Sequence, residues 1–337
     1  MNKADIVIPW VDGNDPEWQK KKARFTQGND YDSSEETYNG TMRYRDYGTL
    51  KYLFRSIEQN AQWVNHVFLV TDNQKPEWLD DNYSKVTVVD HKDFINSRYL
   101  PTFNTNTIEL NVHHISGLNQ NFVLLNDDML FNDKTTIDDF FKGDLPVDSM
   151  SFSVIPSQND FSHILLNDML IINKHFSKKN VLRKNWKKIF NLKNGKLVLR
   201  SFLSLPWTGI TGFYNQHQGI AYTKNSFENM WNLETEKLEE TCSHRIRSTA
   251  DVSDWVIRYY QMCSGKFYAG FSNKSAYFTV DEVERLKREL VGNKHHKFIC
   301  INDVDQESEF LEKAVTEVAS YLNERFPDRS KYEKAKN

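Results

Sequence analysis

Long apolar runs are missing from this 337-residue chain, and no stretch approaches the roughly 18 residues that a helix needs to cross a bilayer. The opening MNKADIVIPWVDG has no signal-type apolar region, because the run after Asp5 ends at Trp10. Cysteine is scarce. Cys242, Cys263 and Cys300 show neither a CxxC nor a paired spacing, which excludes a thiolate zinc site and fits reduced thiols. The expectation from these absences is a cytoplasmic protein. Neither sign of charge dominates: 43 basic against 46 acidic residues leave a net charge of −3, which excludes a broadly basic nucleic-acid binder. There is no P-loop, GxGxxG, GxSxG or HExxH, so the commonest NTPase, dehydrogenase, hydrolase and zinc-protease readings fall away. No internal repeat occurs. Aromatics, by contrast, make up 13% of the chain and argue against disorder. The length suits one large domain or two ordinary ones, with a substantial core.

Short β-type runs recur at Asp5–Pro9, Val67–Thr71, Val86–Val89 and Phe122–Leu125. Between them, Leu50, Leu53, Phe54 and Ile57, and then Ile108, Val112 and Ile115, fall at helical spacing. Strands alternating with helices predict an α/β fold, a mainly parallel Rossmann-like sheet covered on both faces. Each strand run ends in acid: Asp12 in VDGND, Asp72 in VTDN, Asp90 in VVDH, Asp127-Asp128 in LLNDD. One such Asp most often caps a helix or makes an Asx-turn, but four together predict a polar crevice beyond the strand ends, where open α/β sheets bind ligands.

The middle differs. Lys174–Arg200 holds ten Lys or Arg and no Asp or Glu, with Leu182, Trp186, Ile189 and Phe190 at helical spacing. This is either the solvated face of a helical insertion or a basic amphipathic surface for an anionic membrane or substrate. Helical patterns follow around Ser226–Glu240 and Val252–Met262, then a strand-like run at Phe298–Ile301. From Val304 to Asn337 the sequence reads as an amphipathic helix with a polar, frayed tail.

Asp127 and Asp128 suit a hard cation such as Mg²⁺ or Mn²⁺, which bridges carboxylates and substrate phosphates, and they stand where nucleotide-sugar transferases place their metal-binding acids. Glu109 and His113, i and i+4 on a helix, are a weaker metal pair. His217 lies in YNQHQG. Arg245 and Arg247 lie in SHRIRSTADVSDW, before a helix start signalled at Ser248, Thr249 or Asp251. They read as a phosphate cradle or, for one of them, as an ion pair with Asp251. Trp10 stacks on a base or packs in the core, and Asp12 meets a ribose or positions phosphates. The residues alone reach metal-assisted phosphate or nucleotide-sugar chemistry on an α/β sheet.

Four blocks carry a resemblance: DIVIPWVDGNDPEW (Asp5–Trp18), the long segment from RYRDYGTL (from Arg43) through LNDDMLF (to Phe131), His217 together with SHRIRSTADV, and KFICINDVD (Lys297–Asp305). In these the chain resembles the Stealth family of capsular-polysaccharide phosphotransferases, bacterial enzymes related to the animal N-acetylglucosamine-1-phosphotransferase. The resemblance implies transfer of a sugar-1-phosphate from a UDP-sugar to a sugar hydroxyl of a capsular or cell-surface precursor. A phosphodiester forms and UMP is released. His217 and Arg247, thirty residues apart, match the family's essential histidine and arginine. The expected roles are general base for His217 and phosphoryl clamp for Arg247. Asp127, Asp128 and Asp303 are the expected Mg²⁺ or Mn²⁺ ligands. Trp10, Asp12, Arg45, Asp72, Asn104, Glu109 and Arg245 are expected to bind substrate.

The implied organisation is a catalytic domain over 1–313, comprising a nucleotide-sugar half (1–150), a basic helical insertion (155–205) and a His/Arg half (206–313). A C-terminal helix and tail follow over 314–337. The expected partners are a UDP-sugar and a lipid-linked oligosaccharide or polysaccharide acceptor, with no nucleic acid. The basic segment is expected to touch the inner face of the plasma membrane. Two other readings stand beside this one: a metal-dependent glycosyltransferase that releases UDP, and a non-catalytic polysaccharide-binding or assembly subunit.

Overall fold

The computed structural model describes residues 3–26, 44, 47–157, 159–270, 275–292, 295–304 and 309–335. In chain order the strands are β1 (Ala4–Pro9), β2 (Val64–Thr71), β3 (Val86–Asp90), β4 (Asn121–Leu124), β5 (Met129–Phe131), β6 (Phe141–Lys142), β7 (Leu145–Asp148), β8 (Ile220–Thr223), β9 (Tyr268–Ala269), β10 (Ser275–Thr279) and β11 (Phe298–Asn302). The central sheet has the order β3-β2-β1-β4-β8. Its first four strands are parallel, and β8 runs antiparallel to β4. A mixed α/β architecture with a mainly parallel central sheet is what the alternating runs predict.

The two faces of this sheet carry separate cores, because successive side chains of a strand point to opposite sides. Ile6, Ile8, Val67, Leu69, Val123 and Leu125 pack with Leu50, Leu53, Phe54 and Ile57 of helix Thr49–Asn60. Val7, Phe68, Val70, Phe122 and Leu124 turn the other way, against Phe227, Met230 and Ile257 of helices Lys224–Leu233 and Trp255–Cys263. Strands buried on both sides explain why the four runs are nearly all apolar. Two smaller sheets, β10-β11-β5 and β6-β7-β9, flank the first.

The expected helix over Ser226–Glu240 is broken into Lys224–Leu233 and Thr235–Ser243, where Glu234 takes a non-helical φ of −134°. The tail differs too. Helix Glu309–Arg325 forms, but the described residues after it, 326–335, are docked rather than frayed. Glu333 accepts from Arg55 Nε at 2.8 Å and Nη2 at 3.0 Å, and Tyr332 is buried against Phe54. A polar-looking stretch is thereby held by one buried ion pair and an aromatic contact. Between β7 and β8 lie helices Phe161–His175, Lys178–Ile189 and Leu197–Leu203.

Candidate active site

A cavity of about 500 Å³ opens at the carboxyl ends of the four parallel strands. Pro9 ends β1 and Trp10 follows it, Asp72 follows β2, His91 follows β3, and Asn126, Asp127 and Asp128 follow β4, and all of them line it. Trp10 is mostly core, 8% exposed, with its main-chain N–H donated to Val70 O at 2.9 Å. Asp72 is ion-paired with Lys21 at 2.8 Å. His91 was not anticipated. Burial holds its imidazole neutral, with a pKa of about 4.

The Asn126–Asp128 turn is pinned from two sides. Ile301 N–H on β11 donates to Asp128 O at 2.9 Å, and Thr49 Oγ1 donates to Asp127 O at 3.3 Å. Asp128 Oδ2 accepts from the Cys300 thiol at 3.2 Å, while Asp128 Oδ1 is buried with no hydrogen-bond partner. Burial raises the Asp128 pKa to about 6. Asp303, after β11, lines the same cavity and accepts from the Tyr47 hydroxyl. Among the described residues, no three His, Cys, Asp or Glu side chains come together in a ready-made metal cluster. The chemistry present still fits Mg²⁺, which takes one or two carboxylates and leaves its other positions to water and substrate phosphates. An orphaned buried carboxylate oxygen costs free energy until a cation or proton meets it.

His217 projects at the rim from the loop before β8, its ring centroid 4.5 Å from that of Tyr277 on β10. Desolvation lowers its pKa from the usual histidine value. A polar network fixes the loop. Arg258 Nη1 donates to Asn215 Oδ1 at 2.6 Å, Asn215 Nδ2 to Tyr259 Oη at 2.8 Å, and Gln216 Nε2 to Ser149 Oγ at 3.2 Å. Arg258 is itself locked in a buried fork on Asp148, both contacts at 2.7 Å. Gly219 is required by space, because a Cβ there would meet Leu125 Cδ2 at 2.3 Å.

Arg247 lines the cavity and donates to Thr105 Oγ1 at 2.6 Å. The segment around it is organised by Asp251, which accepts from Asn104 Nδ2 at 2.7 Å and Ser248 N–H at 3.0 Å and meets His244 Nδ1 at 2.6 Å. Asp251 thus gathers the loop without either arginine as its ion-pair partner. The expected helix start at Ser248, Thr249 or Asp251 is corrected, since these polar groups hold a loop and the helix begins at Trp255. Beneath Arg247, Glu109 and Asp254 face the same cavity. Burial, reinforced by the Asp254 charge, pushes the Glu109 carboxyl well above its usual range, and Arg247 opposes that shift. Asp254 accepts from the buried Tyr222 hydroxyl at 2.6 Å. His113 does not join Glu109: it stacks on Phe227 at 5.2 Å in the core, neutral, with its pKa driven down to about 3 by burial.

Eight residues singled out in the sequence therefore meet in one cavity: Trp10, Asp72, Glu109, Asp127, Asp128, His217, Arg247 and Asp303. Three stand outside its lining. Asp12 Oδ1 accepts from Asn14 N–H at 2.9 Å in an Asx-turn, with the Gln74 amide clasping its main chain. Asn104 caps helix Thr105–Asn111. Arg245 donates to Pro101 O at 3.2 Å and Arg98 O at 2.8 Å, a clamp between loops. Arg45 lies outside the described residues. The sequence reading missed Thr105, Asp254 and Tyr277. Each is an ordinary residue type with no local motif, brought in by long-range packing.

A mixed α/β chain with an acid-lined cavity at the ends of its parallel strands has its polar groups where open α/β sheets bind their ligands. Comparison with known proteins gives the family. The models described as Stealth protein CR1, conserved region 1, Stealth protein CR2, conserved region 2, and Stealth protein CR4, conserved region 4, match residues 2–30, 43–147 and 289–337. The capsular polysaccharide phosphotransferase WcwK of Streptococcus pneumoniae is 38% identical over 99% of each chain. The exopolysaccharide phosphotransferase cps2G of Lactiplantibacillus plantarum is 38% identical over 98% of this chain and 96% of its own. The receptor polysaccharide phosphotransferase WefC of Streptococcus oralis is 36% identical over 99% of this chain and all of its own. The chain belongs to the Stealth family and is a phosphotransferase enzyme. His217 and Arg247 fall between the matched CR2 and CR4 regions, within the span aligned to the full-length relatives.

Proposed function

We propose that this chain transfers a sugar-1-phosphate from a UDP-sugar to a hydroxyl of a capsular or cell-surface polysaccharide precursor. The observation that carries the reading is the convergence of strand-end carboxylates with His217 and Arg247 on one cavity. The strand order 3-2-1-4 supports a nucleotide donor, because β1 and β4 flank the point where a doubly wound, Rossmann-like sheet reverses direction and leaves its ligand crevice. The relatives' names supply the polysaccharide acceptor.

In this reaction the acceptor oxygen attacks the β-phosphorus, the bond from that phosphorus to the bridging oxygen breaks, and UMP leaves. His217, held largely neutral by desolvation, accepts the hydroxyl proton on an imidazole nitrogen. Arg247 sets its guanidinium against the non-bridging phosphoryl oxygens as charge spreads over them. Glu109 and Asp254, beside it, share the burial that strengthens every charge in the site. Asp127, Asp128 and Asp303 would hold Mg²⁺ or Mn²⁺, which neutralises pyrophosphate charge when bound. Trp10 and Asp72 border the donor.

The test is product chemistry. The chain is incubated with UDP-sugars labelled at the β-phosphorus, Mg²⁺ and an oligosaccharide acceptor. Label retained in the acceptor with UMP released supports the reading. UDP released with no label retained means an ordinary glycosyltransferase and overturns the roles given to His217 and Arg247.

A further inference from the structure

The described residues include fifteen large apolar side chains that are well exposed, and nine of them fall between Val154 and Trp207. That concentration is no leftover of helix packing. The inward stripes are filled separately, by Ile164, Met169 and Ile172 on the first helix, Val181 and Ile189 on the second, and Leu197 on the third. Leu166, Leu170, Trp186, Leu199, Phe202 and Trp207 face outward, with Trp186 and Trp207 54% and 55% exposed.

The cations of this region sort into two groups. Lys178 donates to Ser204 O at 2.6 Å and Trp207 O at 2.8 Å, and Lys188 donates to Gly265 O at 2.9 Å and Phe267 O at 2.6 Å, so these two hold the insertion together. Lys174 is ion-paired with buried Glu234 at 2.7 Å, while Lys179, Arg183, Lys184, Lys187, Lys196 and Arg200 remain exposed. The sole acid from Phe161 to Trp207 is Asp168, fully buried and bonded to Ser253 Oγ at 2.6 Å. The face is therefore apolar and cationic, with half-buried Asp160 at its near edge as the one acid that reaches the surface among its described residues.

This face adjoins the cavity. Asn159 and Phe161, at its near end, line the cavity itself. Asn167 Nδ2 ties the first helix to Thr249 O at 2.9 Å and Asp251 O at 2.8 Å, on the loop that carries Arg247. Asn173 grips Ile210 through both its amide atoms, at 2.8 and 2.9 Å, which brings the 207–210 segment alongside the same helix.

We propose that the face spanning residues 154–207 docks on an anionic phospholipid surface, its exposed Leu, Phe and Trp side chains entering the interface between lysines and arginines that meet the headgroups. Large apolar residues set among Lys and Arg are the composition of helices that lie in a bilayer interface, and Trp favours the boundary where one edge is dry and the other wet. No helix among the described residues is long and apolar enough to cross a membrane, so the contact is peripheral. A second copy of the chain fits poorly, because a two-fold contact would set these cations against themselves with a single half-buried acid, Asp160, to pair them. The consequence is orientation, with the cavity mouth held beside the lipid surface.

The experiment is flotation of the full chain with vesicles of phosphatidylglycerol and phosphatidylcholine, against phosphatidylcholine alone. Two variants accompany it, Arg183→Glu/Lys184→Glu/Lys187→Glu and Leu199→Ser/Phe202→Ser/Trp207→Ser, both checked for unchanged melting and unchanged turnover on a water-soluble acceptor. The wild type is expected to float with anionic vesicles only, and each variant to lose at least ~10-fold in partition. Added salt should weaken the wild type. No flotation, equal binding to neutral vesicles, or self-association that the apolar variant abolishes would each overturn the proposal. Binding is read without catalysis, so a chain that releases no UMP and still floats leaves the docking intact.

Discussion

The cavity draws its lining from two sources, and they are built differently. Trp10, Asp72, Asn126, Asp127 and Asp128 stand at the ends of strands whose positions the sheet ladder dictates. His217 and Arg247 sit on loops held by side-chain networks, Arg258–Asn215–Tyr259 under the first and Asp251 with Asn104, His244 and Ser248 around the second. The first source is positioned by main-chain ladder bonds. The second depends on a few buried polar contacts, which are expensive when half-made and decisive for placement. The difference suggests a division of labour in which strand-end acids hold the donor and loop residues move the proton and clamp the phosphoryl group.

The largest test of that division is Arg247→Ala, expected to lower turnover ~10²–10³-fold with little change in melting, as loss of a charge-stabilising donor does. His217→Ala should cost ~10²-fold or more, with the acid limb of the wild-type rate profile below the usual histidine pKa because desolvation lowers it. Asp128→Asn keeps the shape and removes the charge at the orphaned Oδ1. It should raise the Mg²⁺ needed for half-maximal rate by at least ~10-fold, read from a metal titration. Arg258→Ala would blur the comparison, because it breaks a buried pair and releases the His217 loop. A loss of ~3–5 kcal/mol in denaturant unfolding is expected.

The smallest effect concerns the core behind the site. His113 is buried neutral, with its pKa near 3, while the unfolded chain returns it to its ordinary value. The unfolded state therefore binds the extra proton between those limits. Stability from this group is complete above about pH 6.5 and declines as pH falls, by up to ~1.4 kcal/mol per unit. His113→Phe, which keeps the stack on Phe227, should flatten that slope in thermal melts taken between pH 7 and pH 4.

Legibility in the sequence follows the same line. The strand-end acids were readable because a buried parallel strand is an uninterrupted apolar run and its end is marked by the first polar residue. Helix Thr49–Asn60 was readable from its 3/4 spacing. His217 stood out only within YNQHQG and Arg247 only as one of two arginines before a helix signal, and the likeness to a family is what gave each a role. Asp254, Thr105 and Tyr277 were hidden, because their role depends on which distant segment packs against them. Asn104 was expected from the family likeness and Arg245 as half of a phosphate cradle, while the structure makes the first a helix cap and the second a clamp between loops. The tail read as frayed because its polar residues gave no hint of the Arg55–Glu333 pair.

The most direct measurement is calorimetric binding of the UDP-sugar, with Mg²⁺ present, to wild type, His217→Ala and Asp128→Asn, set beside their turnover. His217→Ala should keep donor affinity within ~3-fold while losing turnover, and Asp128→Asn should lose affinity by at least ~10-fold. Donor affinity that collapses in His217→Ala as far as turnover does, or that survives intact in Asp128→Asn, would contradict that division of labour.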